Sequence, residues 1–283
     1  MKVAVCLKHA VDPLTAEFDV VADALVEREW VLAPAEVVAL EAALRLAEGS
    51  GGSVTAVTVG PPRADAVLRH ALTYGADSAL RVWDDTLAGC LDSFVTARVL
   101  AAALRPLAAD AIVLGTRSLD GGSGIVGPAL AEELGLPLVA NASALAVEGG
   151  AVVAARAGDA GWRDEFSAPL PAVLAVDEGL HEPRYVAVLG RTYRRGLGLP
   201  IATATPAGLG LGAADLAGAV EVRSVLQPKP RTKAAGGAKV AGLSMKEKLA
   251  MMRGGGAKKE KELFEGPPAE AAKLVLDKVR EWL

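Results

Sequence analysis

The chain has 283 residues, 52% hydrophobic but only 4% aromatic, with a formal net charge of −4. That length buries a sizeable core in one large domain, or in a domain with an extension, and the mildly negative balance argues against a nucleic-acid-binding surface. The two cysteines, Cys6 and Cys90, have no metal-ligand or redox-motif spacing, which fits a reduced, cytoplasmic setting, and no run of about 18 uncharged apolar residues provides for membrane insertion.

The first 140 residues read as alternating strands and helices. Val3–Leu7 is an apolar run too short for a signal-peptide core and suited to a strand. A helix is predicted over Pro34–Glu48: Val37, Leu40, Ala43, Leu44 and Ala47 recur at three and four, and Pro34 suits a first turn. Gly49-Ser50-Gly51-Gly52 stops it. Ser50-Gly51-Gly52-Ser53 looks like part of a pyrophosphate loop but precedes a strand, so it reads as a helix stop. Ser53–Val59 is the second strand, ended by Gly60-Pro61-Pro62. Arg63–Tyr74 is a helix closed by Gly75, Ser78–Val82 a strand and Ser93–Leu107 a helix. Asp110–Gly115 is a strand whose Ala111–Leu114 is apolar at every position. Strands apolar on both faces belong in a parallel sheet covered on both sides, and helical spacers imply right-handed crossovers. The fold class is α/β, an open, doubly wound, mostly parallel sheet.

The rhythm changes from Val139 to Val176. Ala151–Ala154 and Ala172–Val176 have no helix between them and Gly149-Gly150 marks a hairpin, so a few antiparallel strands are expected beside the parallel sheet. Residues 190–240 are rich in Gly, Pro, Ala and basic residues and read as an extended arm. Two helices follow, Ser244–Arg253 with Met245, Leu249 and Met252 on one stripe, and Pro268–Leu283 with Ala271, Leu274, Val275, Val279 and Trp282 on another, joined by the charged link Gly254–Glu260. The division is therefore an α/β domain over 1–189 and an arm over 190–283 whose helices dock on a partner.

The most informative segment runs from Leu114-Gly115 through Asp120, Gly121, Gly122, Ser123, Gly124, Ile125, Val126 and Gly127 to Pro128, between a buried strand and a helix predicted over Ala129–Leu134. Ligands of open parallel sheets bind beyond the carboxyl ends of the strands. Glycines let backbone N–H groups approach a phosphate, and a helix N-terminus adds roughly half a unit of positive charge. Ser123 offers a hydroxyl; Asp120 can accept from a ribose hydroxyl or cap the turn. Gly122–Gly127 matches GxGxxG, but after the fourth strand rather than the first, where the dinucleotide fingerprint belongs. A loop with no ligand remains open on spacing alone. His9 and Asp12 lie just past the first strand, as ligand-facing or surface residues; Cys6 and His70 read as structural, and His181 has no partner in sequence. No nucleophile–base pair, metal cluster or paired carboxylates stand out.

Several segments in this order resemble the beta subunit of electron-transfer flavoproteins, over residues 1 to about 200. They are Val5–Asp12, Pro34 with Glu36–Glu48, Val57–Pro61, Ala71–Asp77, Leu114–Pro128, Leu170–Val173 and Glu182-Pro183-Arg184-Tyr185. The resemblance implies a heterodimer with an alpha subunit that holds a redox-active FAD, and an adenine nucleotide in this chain, either AMP or a second FAD. It carries nucleotide contacts onto Cys6, Ala33, Pro34, Ala35, Glu36, Val59 and Asp120–Gly127. It places an apolar anchor for partner dehydrogenases, acyl-CoA-type or other, at Val188 and Leu189, with a quinone reductase or ferredoxin-like acceptor downstream. Arg191, Arg194 and Arg195 either steer an acidic partner or form a solvated cluster. Ile125 stands where the family usually carries Gln, Ala33 where it often carries a polar residue, and the arm from Ala234 to Glu260 is longer than its pattern. The competing readings are a stand-alone NAD-dependent Rossmann-type dehydrogenase, which needs a fingerprint at the first strand, and an ATP-binding stress-type module, which needs no long arm.

Overall fold

A computed structural model describes residues 1–19, 24–26, 29–89, 92–158, 161–186, 188, 198–220 and 267–280. The chain divides into two units, Met1–Val225 and Leu226–Leu283. The expected helix Ser244–Arg253, its link Gly254–Glu260, Cys90, Leu189, the three arginines after it and Trp282 lie outside the described residues.

The chain opens with β1 (Lys2–Cys6), then β2 (His9–Val11), β3 (Glu17–Asp19), β4 (Ala24–Val26) and β5 (Trp30–Leu32). β2 pairs antiparallel with β5, and β3 with β4. α1 (Pro34–Ser50) begins on its proline, whose missing N–H costs nothing in a first turn. It ends where Gly51 turns left-handed at φ 62° and the Gly51 and Gly52 amides close on Glu48 O and Ala47 O. The Ser50–Ser53 segment is thus a helix stop. β6 (Ser53–Val59) leads through a 3₁₀ turn, Pro62–Ala64, into α2 (Asp65–Tyr74), two residues later than predicted. β7 (Ser78–Val82) precedes α3 (Ser93–Leu104), capped by Asp92, whose Oδ1 accepts from the amides of Phe94 at 2.9 Å and Val95 at 2.8 Å. β8 (Ala111–Gly115) leads to α4 (Val126–Leu134), and β9 (Leu138–Glu148), β10 (Ala151–Ala157), β11 (Arg163–Pro169), β12 (Ala172–Val176) and β13 (Ile201–Ala204) complete the unit. In the second unit, α5 (Pro268–Arg280) keeps Leu274, Val275 and Leu276 exposed.

The main sheet has the order β11-β10-β9-β12-β8-β1-β6-β7-β13. From β9 to β13 neighbours pair in parallel, and β10 alone runs against the rest, pairing antiparallel with both β9 and β11. The expectation of antiparallel strands over Val139–Val176 therefore holds for the hairpin and not for Ala172–Val176. β12 sits parallel between β9 and β8, in register Ala172↔Ala111 and Val173↔Leu138. A parallel return needs a crossover; here the β10–β11 hairpin replaces the usual helix. β9 bends to allow this: Asn141 adopts φ 55° and the register against β12 shifts between Leu174 and Val176. β13, drawn from the segment read as an arm, adds itself to the sheet edge beside β7.

Alternation along each strand builds the two layers. Val3, Val5 and Leu7 of the first strand region share one apolar cluster with Val38, Leu40 and Leu44 of α1, Leu68 of α2 and the hairpin residues Val152 and Ala154. Ala4 and Cys6 face the other way, into a cluster with Val95 and Val99 of α3 and Leu130 of α4. Each fully buried Leu or Val contributes roughly 1.5–3 kcal/mol, so the same alternation that creates the layers also fixes strand register. The result holds the carboxyl ends of β1, β6 and β8 side by side.

Candidate functional site

A cavity of about 500 Å³ opens at those carboxyl ends, between the N-terminal turns of α1, α3 and α4. Cys6, Glu36, Val59, Gly121, Ser123, Gly124, Ile125, Val126 and Gly127 line it. Asp120 stands behind the wall and anchors the loop: Lys8 Nζ donates to its Oδ1 at 2.6 Å. Gly122 serves loop shape, at φ 61°, with its amide donating to Ser118 O at 3.1 Å. Ala33 holds extended geometry before α1, followed by Pro34 at its start. Ala35 touches the strand end, 3.1 Å from where a Cβ on Gly115 would lie, and lines a neighbouring cavity of about 780 Å³ with Arg117, Asn141 and Asp177. His9 sits beside Trp30, ring centroids 5.4 Å apart, and Asp12 caps a turn by accepting from the Leu14 amide; neither lines the 500 Å³ cavity. His70 stacks on Tyr74. Val188 is exposed.

The loop has the geometry of an anion cradle. Gly124 lies at φ 67°, a region that only glycine enters at little cost, and a Cβ there would come within 3.3 Å of Arg117 Cγ. The amides of Ser123, Gly124 and Val126 donate to no group among the described residues. They sit at the head of α4, whose own first N–H groups lack intrahelical acceptors. Ser123 Oγ and Ser93 Oγ approach to 3.2 Å across the cavity, so a second helix start, that of α3, faces the same space.

The structure adds residues that sequence reasoning missed: Lys8, Asp92, Ser93, Phe94, Arg117 and Val220 also line the cavity. Asp92-Ser93 carried a usable signal, a helix cap following the third strand at the same sheet edge. Val220 carried none. It arrives through β13 and is held because Asp92 Oδ2 accepts from the amides of Ala219 at 2.6 Å and Val220 at 2.9 Å.

Electrostatically the cavity suits binding. Burial pushes the Cys6 thiol up to about 12, assisted by the charge of Glu36, so it is no nucleophile at neutral pH. Burial pushes the Glu36 carboxyl up to about 8 against the pull of Lys8, whose charge and backbone N–H favour the ionised form, while Asp120 adds to the rise. Burial also raises Asp120, but hydrogen bonds from Lys8 and the Gly121 amide win and hold it below the ordinary value. Among the described residues no cluster of three His, Cys, Asp or Glu is placed to hold a metal, and no helix is long and apolar enough to cross a membrane.

Comparison with known proteins places this architecture. The electron transfer flavoprotein domain model matches residues 24–206, a span that includes α1, the glycine loop and β13. The chain is 33% identical over 193 residues to the electron transfer flavoprotein subunit beta of Thermoanaerobacterium thermosaccharolyticum, covering 67% of this chain and 73% of that protein. It is 35% identical over 198 residues to the subunit of the same description from Mycobacterium leprae, covering 68% and 74%. It is 37% identical over 143 residues to Protein FixA of Azorhizobium caulinodans, covering 48% and 50%.

Proposed function

The chain belongs to the electron transfer flavoprotein family, among relatives that are its beta subunits, and on that footing we propose that it pairs with an alpha subunit as an electron carrier and holds an adenine nucleotide at the 120–127 loop. The observation that supports the second part most directly is the set of unengaged amides of Ser123, Gly124 and Val126 at the head of α4, over a cavity of about 500 Å³. Small-molecule sites commonly span about 300–1,000 Å³, so one adenylate suits the space: AMP itself, or the adenylate half of a second FAD with its flavin half outside.

In this reading the loop amides and Ser123 take the phosphates, where the helix dipole favours negative charge. Cys6 and Val59, at the ends of β1 and β6, wall the nucleoside side, and the Lys8–Asp120 pair fixes the start of the loop. An FAD shared with the alpha subunit supplies reversible one- and two-electron chemistry; the protein's part is orientation and electrostatics. Arg184 anchors the segment that leaves the sheet after β12. Its Nε donates to Glu41 Oε2 at 2.8 Å and its Nη2 to Glu48 Oε2 at 3.0 Å, tying that segment to α1. We assign Val188 and Leu189 to docking of a dehydrogenase, acyl-CoA-type or other, with a quinone reductase or similar acceptor receiving the electrons in turn. A stand-alone NAD-dependent dehydrogenase fits less well: β1 passes into β2 through Leu7 and Lys8, with no glycine turn to receive a pyrophosphate.

The test is co-purification with a large-subunit partner. Yellow colour with about one FAD per pair, together with an adenine nucleotide released on denaturation, supports the proposal. Turnover of a substrate with NAD by the isolated chain would replace it.

A further inference from the structure

Asp92 uses its two carboxylate oxygens on two different elements. Oδ1 caps α3, and Oδ2 accepts from the amides of Ala219 at 2.6 Å and Val220 at 2.9 Å, 127 and 128 residues further along the chain. Burial raises this carboxyl, but the backbone N–H groups of Val95, Val220, Ala219 and Phe94 outweigh burial and hold it below its ordinary value. At neutral pH it is therefore a charged acceptor on both sides.

The segment that brings those two amides is well tied upstream. After β13, Leu209, Leu211 and Leu216 pack on the apolar cluster that α3 and α4 bury, and Arg98 Nη1 donates to Asp215 O at 2.6 Å. Residues 217–220 differ: all four are exposed. Among the described residues, the two bonds to Asp92 are the hydrogen bonds that join 218–220 to the rest of the unit. Yet Val220 lines the 500 Å³ cavity, beside Ser93 and Phe94 of the α3 head and Ser123 and Ile125 of the loop. Between the heads of α3 and α4, Ser93 Oγ and Ser123 Oγ stand 3.2 Å apart, a gap that passes no phosphate. The strand ends and helix starts of the other walls are built into the core, whereas the 217–220 border hangs on one side chain.

We infer that residues 217–220 are a strap on the rim of the nucleotide cavity, latched by Asp92, and that its release is the step through which a nucleotide enters and leaves. The inference rests on the nucleotide reading above and goes beyond it, to how fast the ligand exchanges. Gating segments come from the least stable parts of a fold, and two hydrogen bonds to one half-exposed carboxylate hold such a segment without committing the core. An amide at position 92 separates the two roles of the side chain. Its oxygen caps α3 as well as a carboxylate does. The nitrogen in place of Oδ2 then meets two N–H donors and cannot accept from them.

The experiment uses the nucleotide-stripped full chain and fluorescently labelled AMP. Stopped-flow mixing gives the association rate, and a chase with excess unlabelled AMP the release rate, for wild type, Asp92→Asn and Val220→Pro. The proline removes one latch donor from the strap side and leaves Asp92 untouched. In both variants release and association should each rise about tenfold, while the dissociation constant moves less than about threefold, because a gate sets the barrier and not the end states. Asp92→Asn should melt within a few degrees of the wild type; if it melts much lower, Val220→Pro decides, since residue 220 lies outside both apolar clusters. Release within about twofold of the wild type, or faster release with association unchanged, would overturn the latch and leave the nucleotide site standing. A wild-type chain that binds neither AMP nor FAD would remove both.

Discussion

Gly124→Val is the sharpest probe of the loop. At φ 67° an L-residue pays about 1–2 kcal/mol for left-handed geometry, and a β-branched one more. The new Cβ would also sit 3.3 Å from Arg117 Cγ and 3.5 Å from Thr116 O, so the neighbours must give. The loop then has two responses. It keeps its shape and loses that stability, or it leaves the left-handed region and swings the amides at 124 and 126 away from the cavity. Each amide–phosphate bond is worth about 1.5–3 kcal/mol, so loss of two weakens nucleotide binding by about two to four orders of magnitude. Because Gly124 lies in a surface loop outside both apolar clusters, the melting temperature should fall by only a few degrees. Gly121→Ala is the control: a Cβ there meets nothing closer than Ser118 Oγ at 3.5 Å, ordinary contact, and φ is not left-handed. The assay is nucleotide released per chain after denaturation, with a thermal melt on the same samples. Nucleotide retained by Gly124→Val at the level of Gly121→Ala would refute the reasoning.

Other substitutions test the supports of the site. Arg184→Ala leaves the Glu41 carboxylate, 2% exposed, with Arg45 and the backbone N–H of residue 184 but without the guanidinium, and should cost about 1–3 kcal/mol in urea unfolding. Hydrogen bonds from Arg184 hold the Glu41 and Glu48 carboxyls below their ordinary value of 4.5, with burial opposing this, so the stability they supply is present above that pH and lost as pH falls through the folded-state values. The gap between wild type and Arg184→Ala should therefore narrow in acid, and a constant gap would count against the clamp. Asp92→Ala removes the α3 cap, worth about 1 kcal/mol, and releases the 219–220 segment; cleavage near Val220 in limited proteolysis should accelerate, and unchanged cleavage would reject the latch. In the nucleotide-free protein, Glu36 has its folded value raised, so the unfolded chain releases this proton first and stability declines between about pH 4.5 and 8; melts of Glu36→Gln should lack that component. Leu189→Ala should slow electron transfer from a dehydrogenase without loss of flavin, and an unaltered rate would dismiss the anchor.

What was legible in the sequence follows the range of the forces involved. Ala111–Leu114 announced a buried parallel strand because every position is apolar, and Pro34 with Gly51 marked both ends of α1 by local backbone chemistry. The glycine loop was visible for the same reason, since φ above zero at Gly122 and Gly124 is a local demand. Pairings set at long range were not. Ala172–Val176 lacks a preceding helix, so nothing local reveals that a hairpin serves as its crossover. Asp92 and Val220 are 128 residues apart, and Lys8 and Asp120 112 apart, yet each pair meets at the cavity. α4 starts three residues before the Ala129 that the sequence predicts, because Pro128 lies within its first turn, where the missing N–H is not needed. The short strands between His9 and Leu32 alternate too briefly to announce themselves.

The central question is whether this chain carries an adenylate of its own beside the flavin of its pair. Denaturing the purified heterodimer and identifying every released nucleotide by mass and absorbance tests this directly. The expected result is FAD for the pair plus one further AMP or FAD, the latter lost in Gly124→Val. Release of a single FAD, unaffected by that substitution and with no second nucleotide, would contradict it.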